Sequence, residues 1–306
     1  MVRKVWNLWF EEVRAPFFTA TIVPILLGAI IAWVRVGAFH WGYFLLTMVG
    51  GLFLHAGTNV ANDYFDHLSG ADEFNFEFVR PYTGGSRMIQ RGLLTPMQVL
   101  RGALLFFTLG SIIGLYLTYT RGTLVLLLGI IGVFCGFFYT APPFRLVSTG
   151  LGETFVGLNF GILMTLGSYY VQTQALAWEP VVAAVPVALL IAAVLYINEF
   201  QDYHADRDAG KTHLVVRLGR RRAANGYTII IAATYLSIAV AVGLGLISPF
   251  TLIALATLPI ALKAVNTARF YYDEYLKLAP ANAATVMIHM LIGVLLSLGY
   301  LIDKAI

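Results

Sequence analysis

Long runs of apolar residues, separated by short polar segments, extend along the whole chain. Many of these runs hold about 20 residues, which as a helix is long enough to cross a hydrocarbon layer about 30 Å thick. The pattern predicts nine membrane-spanning helices at roughly 16–37, 42–61, 99–119, 123–140, 152–172, 180–200, 225–245, 248–270 and 282–302. The sequence therefore predicts an all-α, polytopic membrane protein.

Composition leads to the same class. The 306 residues are 59% hydrophobic and only 12% charged, with a mean hydropathy of +0.78. A soluble domain carries about twice that charged fraction, so one soluble core could not hide this much apolar surface. We expect residues 1–306 to form a single transmembrane domain with its helices around a central cavity.

The positive charges predict how the chain lies in a membrane. If the N-terminus is cytoplasmic, only Arg35, Arg121 and Lys304 of the 20 lysines and arginines fall on the other side. Cytoplasmic loops are enriched in Lys and Arg, so this orientation in the cell membrane is favoured. The long polar loops 62–98 and 201–224 are then cytoplasmic too. The net charge of +4 reflects this topology and does not indicate a nucleic-acid partner.

Two polar stretches end apolar runs on the cytoplasmic side. They are NDYFDHLSGAD, from Asn62 to Asp72, and NEFQDYHADRDAGK, from Asn198 to Lys211. In the second stretch, Asn198, Asp202 and Asp206 are spaced four apart, which places them on one face of a helix.

The first stretch repeats this spacing. Asn62 and Asp66 are four apart and share a helix face. Gly70 is expected to end the helix, so that Asp72 comes from the loop beyond it. Asp63 points about a third of a turn away from this face and is the outlying member of the set.

Carboxylates that face one another need a positive partner. One such cluster could be a solvated helix end paired with loop arginines, but two clusters with the same N-x-x-x-D core favour a site. Asp and Asn oxygens suit a hard divalent cation, and Mg²⁺ usually bridges carboxylates to a phosphate. The nearby Arg87, Arg145 and Lys211 add positive charge for a diphosphate. The alternative from another class is a cation-coupled secondary transporter, although its acids would lie nearer the membrane midplane.

The two stretches resemble the aspartate-rich motifs of the UbiA superfamily of intramembrane aromatic prenyltransferases. The similarity extends to WNLWFEEVRAPFFTATIVPILLG, YTGGSRMIQRGLLTP and FFYTAPPFRLVSTGLGE, and so covers most of residues 5–220. The SGAD ending and the GGSR–GLLTP loop resemble the menaquinone branch, which prenylates 1,4-dihydroxy-2-naphthoate. The 4-hydroxybenzoate branch usually has an aspartate at the position of Gly70, so Asp72 would have to replace it here.

The resemblance implies an enzyme that joins an allylic polyprenyl diphosphate to an aromatic acceptor beside membrane lipid. It also implies two Mg²⁺ ions and a set of catalytic carboxylates, Asp66, Asp202 and Asp206. One ion would be held by Asn62, Asp66 and Asp72, with Asp63 as an outlying ligand, and the other by Asn198, Asp202 and Asp206. Arg87, Arg145 and Lys211 would stabilise the departing diphosphate.

Further roles and alternatives stay open at this stage. Tyr139 could face the allylic cation or orient the acceptor ring, or could be an interfacial tyrosine. No residue stands out as a base. Other acceptors, a 4-hydroxybenzoate-like aromatic or a glycerol-phosphate lipid, remain within the superfamily. Prenyl chain length and oligomeric state are not fixed by the sequence.

Overall fold

The computed structural model describes residues 2–73 and 75–306, and within these ranges the regular structure is helical, without a strand. Twelve α-helices follow one another in the chain. They are α1 Val2–Glu12, α2 Thr19–Val36, α3 Trp41–Ser69, α4 Pro96–Arg121, α5 Thr123–Phe137, α6 Gly152–Val156, α7 Met164–Thr173, α8 Trp178–Asp208, α9 Leu214–Leu218, α10 Arg220–Gly243, α11 Leu258–Tyr271 and α12 Tyr275–Ala305.

Short 3₁₀ and π-helical segments extend some of these helices. A 3₁₀ turn at Ala15–Phe18 leads into α2, and a second at Pro249–Thr257 leads into α11. The π-helical segment Gly157–Leu163 joins α6 to α7. The extensions lengthen α2 and join the shorter α6, α7 and α11 into apolar segments that are long enough to cross a membrane.

Among the described residues, eight segments are long and apolar enough to span a membrane. They are Ala15–Val36, Trp41–Ser69, Pro96–Arg121, Gly152–Thr173, Trp178–Asp208, Arg220–Gly243, Pro249–Tyr271 and Tyr275–Ala305. The predicted all-α class is thus confirmed, but the predicted count of nine is not. The difference is α5, which has 15 residues where 123–140 was predicted to span. Pro142 and Pro143 follow α5 closely. A proline disfavours the helical conformation at the residue before it, so the helix ends before this pair.

The helices that carry the two acidic stretches are longer than the apolar runs alone predict. α3 extends to Ser69 and α8 to Asp208, so both motifs lie on the final turns of regular helices. Gly70 ends α3 with a φ of 79°, a left-handed conformation that costs glycine little, as the sequence predicts. Helical geometry therefore fixes the facing of most motif side chains.

Two clusters of buried apolar side chains hold the helices together. The larger one includes Leu27 of α2, Leu190 of α8 and Tyr227 of α10, together with residues of α11 and α12. The smaller one is built around Val60 of α3 and Val99 of α4. Close helix contacts use small residues, as is usual between membrane helices.

Candidate active site

A cavity of about 360 Å³ lies among α2, α3, α4, α5, α7 and α8. Its apolar part is lined by residues such as Leu117 of α4, Leu128 of α5 and Met164 of α7. Its polar part contains both acidic motifs and the loops beside them. The charged and amide side chains of the cavity lining are Arg14, Asn59, Asn62, Asp66, Asp72, Asn75, Asn159, Asn198, Glu199, Asp202, Asp206 and Lys211. The cavity can therefore take a ligand with a strongly charged head and a long apolar tail.

Lys211 joins the two motifs. Its Nζ lies 2.9 Å from Asp66 Oδ1 and 2.9 Å from Asp206 Oδ1, and all three residues are buried. Burial alone would lower the pKa of Lys211, but the two carboxylates outweigh it and raise the pKa well above its usual value. The lysine thus stays charged, and two stretches far apart in sequence form one site.

The first motif divides between the cavity and the protein interior. Asn62 donates from Nδ2 to Asp66 Oδ2 at 3.0 Å, and its Oδ1 accepts from Arg14 at 3.0 Å. Asp63 is turned away from the cavity. It forms an ion pair with Arg14 and accepts the backbone N–H of Ser86 at 3.0 Å. Helical spacing explains the division, since one step along a helix rotates a side chain by about 100°.

Asp72 stands on the loop after α3 with little compensation for its charge. It is 5% exposed, and its Oδ2 accepts no hydrogen bond from the described residues. Burial raises its pKa well above the usual value, and the charges of Asp66 and Asp63 add to the shift. A cation would relieve this carboxylate. Gly85, at φ 68°, lies so close that a Cβ there would be 3.0 Å from Asp72 Oδ2.

The second motif is held from neighbouring segments. Asp202 Oδ1 accepts from Asn75 Nδ2 at 2.6 Å. Asn198 Oδ1 accepts from Asn282 of α12 at 2.7 Å. The loop after α3 and the last helix thus fix the side chains that face the cavity from α8.

Three other predicted residues differ in their placement. Tyr139 lines the cavity. Arg87 lies beside the site without lining it, since its Nη1 donates to the carbonyl of Asp72 at 3.0 Å and its guanidinium stacks on Phe78. Arg145 is exposed on the loop after α5, outside the described cavity lining.

Comparison with known proteins decides the class of this site. The sequence profile of the UbiA prenyltransferase family matches residues 21–299. This chain belongs to the UbiA prenyltransferase family. It is therefore an enzyme that transfers prenyl groups and an integral membrane protein, and the transporter alternative is excluded.

Relatives of the UbiA-family enzyme extend over nearly its full length. It is 29% identical over 296 residues to 2-carboxy-1,4-naphthoquinone phytyltransferase of Synechocystis, covering 96% of this chain and 93% of the relative. It is 26% identical over 299 residues to 1,4-dihydroxy-2-naphthoate octaprenyltransferase of Bacillus subtilis, covering 97% and 92%.

Solved structures share the fold of this prenyltransferase. A UbiA homolog from Archaeoglobus fulgidus bound to GPP and Mg²⁺ superposes with a TM-score of 0.63 at 15% identity, covering 95% of this chain and 99% of that one. The apo UbiA homolog from Aeropyrum pernix K1 gives a TM-score of 0.66 at 14% identity, covering 95% and 98%.

Sequence reasoning missed several polar residues at the prenyltransferase cavity. Arg14 precedes the first apolar run and reaches the site because its backbone turns there with a φ of 52°. Glu199 lines the cavity although it stands one position away from the periodic residues of α8. The only signal for Arg14 was a basic residue just before a span. A basic residue in that position is also explained by membrane topology, so it did not point to a site.

Glu199 belongs to a buried cluster next to the second motif. Ligand atoms of Glu153, Glu199 and His213 lie within 4.8 Å of one another. His213 Nδ1 is 3.2 Å from Glu199 Oε2, and His213 Nε2 is 3.3 Å from Asp206 Oδ2. Burial disfavours the imidazolium, but the carboxylates of Glu199 and Asp206 raise the pKa of His213 to about 10. Through these two contacts of His213 with Glu199 and Asp206, the segment that carries Lys211 is held against α8.

Lys211→Met should expose how strongly this site depends on one buried cation. Removing one partner of a buried ion pair costs about 3–5 kcal/mol, because the remaining carboxylates are left uncompensated. We expect the Tm of the detergent-purified protein to fall by several degrees in chelator, and added Mg²⁺ to restore part of it.

The matched control is Lys277→Met. Lys277 pairs with Glu274 at an exposed position, so its loss should leave the Tm nearly unchanged with or without Mg²⁺. Equal Tm values for Lys211→Met and wild type in chelator would contradict the bridging role of Lys211.

Proposed function

We propose that this enzyme transfers a polyprenyl group from an allylic polyprenyl diphosphate to 1,4-dihydroxy-2-naphthoate, a step in menaquinone biosynthesis. The observation that carries the proposal is one cavity that is lined both by the two acidic motifs and by apolar residues of α4, α5 and α7. A diphosphate suits the first part and a polyprenyl tail the second. Relatives named for naphthoate substrates, similar over more than nine-tenths of the chain, support the choice of acceptor.

The residues at the polar end fit a divalent metal. Four aspartates line this end against two cations, Arg14 and Lys211, and one buried oxygen of Asp72 has no hydrogen-bond partner among the described residues. An all-oxygen donor set of this kind suits Mg²⁺. We propose two ions, one at Asn62, Asp66 and Asp72 and one at Asn198, Asp202 and Asp206. Asp63 we assign to holding Arg14 in place, because it faces away from the cavity.

Bound Mg²⁺ would neutralise the diphosphate and so turn it into a good leaving group. Lys211 and Arg14 would donate hydrogen bonds to the diphosphate oxygens as their charge increases. Arg87 would support the site by donating to the backbone carbonyl of Asp72, which holds that loop in place. We propose that the exposed Arg145 binds the diphosphate as it arrives at the cytoplasmic entrance of the cavity.

The bonds change in a balanced way. The allylic C–O bond breaks, and its electron pair leaves with the diphosphate. The ring carbon that carries the carboxylate attacks the allylic cation, and the C–CO₂ bond then returns its electron pair to the ring. No base is needed for this sequence. The ring of Tyr139 would face the cation, and the apolar walls would keep water away from it.

The tail would lie along the short helix α5. That helix has no buried residue, although Val125, Leu128 and Gly132 line the cavity. We infer that α5 is a thin wall, that it makes the ninth span, and that the cavity opens beside it to lipid. A tail pulled into water would lose about 0.8 kcal/mol per CH₂, which favours such an opening.

The topology follows from the same proposal. Both motifs would face the cytoplasm, together with the N-terminus, in the cell membrane. Residues 1–306 would form one transmembrane domain. The diphosphate would then enter from the cytoplasm while its tail remained in the bilayer.

The direct test of the function is product identification. Purified protein with Mg²⁺ and geranylgeranyl diphosphate is offered 1,4-dihydroxy-2-naphthoate, 4-hydroxybenzoate or a glycerol-phosphate lipid, and products are read by mass spectrometry. We expect prenylation of the naphthoate with release of CO₂ and diphosphate. Excess chelator should abolish turnover, and Mg²⁺ should restore it. Turnover in chelator, or transfer only to another acceptor, would contradict the proposal.

Gly132→Phe tests the tail channel. A Cβ at Gly132 meets no atom within 4 Å, so the aromatic ring would extend into cavity space. If it displaces about two CH₂ groups at about 0.8 kcal/mol each, kcat/KM for geranylgeranyl diphosphate should fall by more than about tenfold. The value for the shorter geranyl diphosphate should change much less.

The control for this variant is Gly243→Phe. Gly243 is exposed at the end of α10, also meets no atom within 4 Å, and does not line the described cavity. It should leave both donors unaffected. An equal loss for long and short donors in Gly132→Phe would show that the tail lies elsewhere.

A further inference from the structure

Two polar groups of the cavity have no role in holding metal or diphosphate. Glu199 is 4% exposed, and neither of its carboxylate oxygens accepts a hydrogen bond from the described residues. The hydroxyl of Tyr139 is also buried without a hydrogen-bond partner among them. Both residues line the cavity. Buried polar groups normally have partners, so these two point to a ligand that supplies them.

Glu199 is fixed in its position from behind. His213 Nδ1 lies 3.2 Å from Oε2 and packs against this side of the carboxylate. Oε1 accepts no hydrogen bond from the described residues, and the carboxylate of Glu153 lies close by. A carboxylate in this situation gains most from a hydrogen-bond donor that arrives through the cavity.

The cluster of Glu153, Glu199 and His213 has the residue types of a metal site, but most of it does not face the cavity. Of Glu153, Glu199 and His213, only Glu199 lines the cavity. Glu153 Oε1 already accepts the backbone N–H of Leu214 at 2.9 Å, which ties this residue to the start of α9. Glu199 is therefore the member of this cluster that a ligand in the cavity can meet, and Tyr139 lines the same cavity. A carboxylate and a phenol without hydrogen-bond partners among the described residues suit a ligand that carries hydroxyl groups.

We propose that Glu199 and Tyr139 form the binding site for the hydroxyl groups of the aromatic acceptor, an inference that rests on the proposed function. Glu199 accepts a hydrogen bond from the ring hydroxyl next to the attacked carbon. Tyr139 donates its hydroxyl proton to the acceptor's other oxygen. The site therefore takes phenolic acceptors and not glycerol-phosphate lipids.

The contact would also help the reaction. When the new C–C bond forms, positive charge spreads onto the ring hydroxyl, and its hydrogen bond to a carboxylate becomes stronger. When the C–CO₂ bond breaks, the ring regains its electrons and the hydroxyl keeps its proton. Glu199 is thus an acceptor-binding group that stabilises the intermediate without removing a proton.

The test compares Glu199→Gln with the matched variant Glu153→Gln, which changes a carboxylate of the same cluster that does not line the cavity. Dissociation constants are measured by naphthoate fluorescence in detergent with Mg²⁺. The ligands are 1,4-dihydroxy-2-naphthoate and its two monomethyl ethers. Glu199→Gln should weaken binding of the dihydroxy compound by about 10- to 100-fold, the usual range for a hydrogen bond to a charged group.

The ethers separate a direct contact from a general disturbance. Methylating the hydroxyl that contacts Glu199 should weaken binding to wild type by a similar factor, and Glu199→Gln should then add less than about threefold. Glu153→Gln should keep acceptor binding within about threefold of wild type. Affinity for the prenyl diphosphate, measured on the same samples, should be unchanged in both variants.

Three results would overturn the inference. They are an equal loss in Glu199→Gln for all three naphthoates, the same loss in Glu153→Gln, or a parallel loss of prenyl diphosphate affinity. If Glu199→Gln does not fold, the wild type still decides, because equal affinities for the two ethers would exclude the contact. Failure of the proposed function is distinct, since it appears as absent wild-type turnover on the naphthoate before any variant is made.

Discussion

The ion pairs of Lys211 with Asp66 and Asp206 are the interaction on which the rest of the site depends. Carboxylates from two helix ends face one another in a buried place, where their repulsion would separate the helices if no cation lay between them. The lysine comes from the loop after α8, and His213 fastens that loop to the same helix. The two motifs can therefore face one cavity and still carry more acid than the protein itself neutralises.

This excess of acid is what makes the site suitable for a diphosphate with metal. A fully paired cluster would be stable and inert, whereas one buried oxygen of Asp72 has no hydrogen-bond partner in the part of the chain that the structure describes. The same cavity continues among apolar side chains of α4, α5 and α7. In the proposed reaction, the diphosphate and the hydrocarbon tail would thus share one cavity.

Helical periodicity predicted the parts of the site that regular helices carry. The four-residue spacing placed Asn62 with Asp66 and turned Asp63 aside, and Gly70 ends α3 as its lack of a side chain predicts. The residues that sequence missed come from outside this periodicity. Arg14 reaches the site through a left-handed turn, and Glu199 stands one position off the repeating face of α8.

The count of spans and the role of Arg145 show a second limit. A run of apolar residues predicts where a helix can form, but the prolines after α5 decide where that helix ends. Arg145 lies in the same loop, whose path is set by contacts with distant segments. Local sequence carries no record of those contacts, so its exposed position could not be read from the motif.

The central claim, that both motifs hold metal around one diphosphate, is tested most directly by counting bound ions. Mn²⁺ can replace Mg²⁺ and be quantified by electron paramagnetic resonance, with an unreactive prenyl thiodiphosphate present. The account predicts two ions per chain in the wild type and at least one fewer in each of Asp66→Ala and Asp202→Ala. Mn²⁺ binding equal to the wild type in either variant would contradict it.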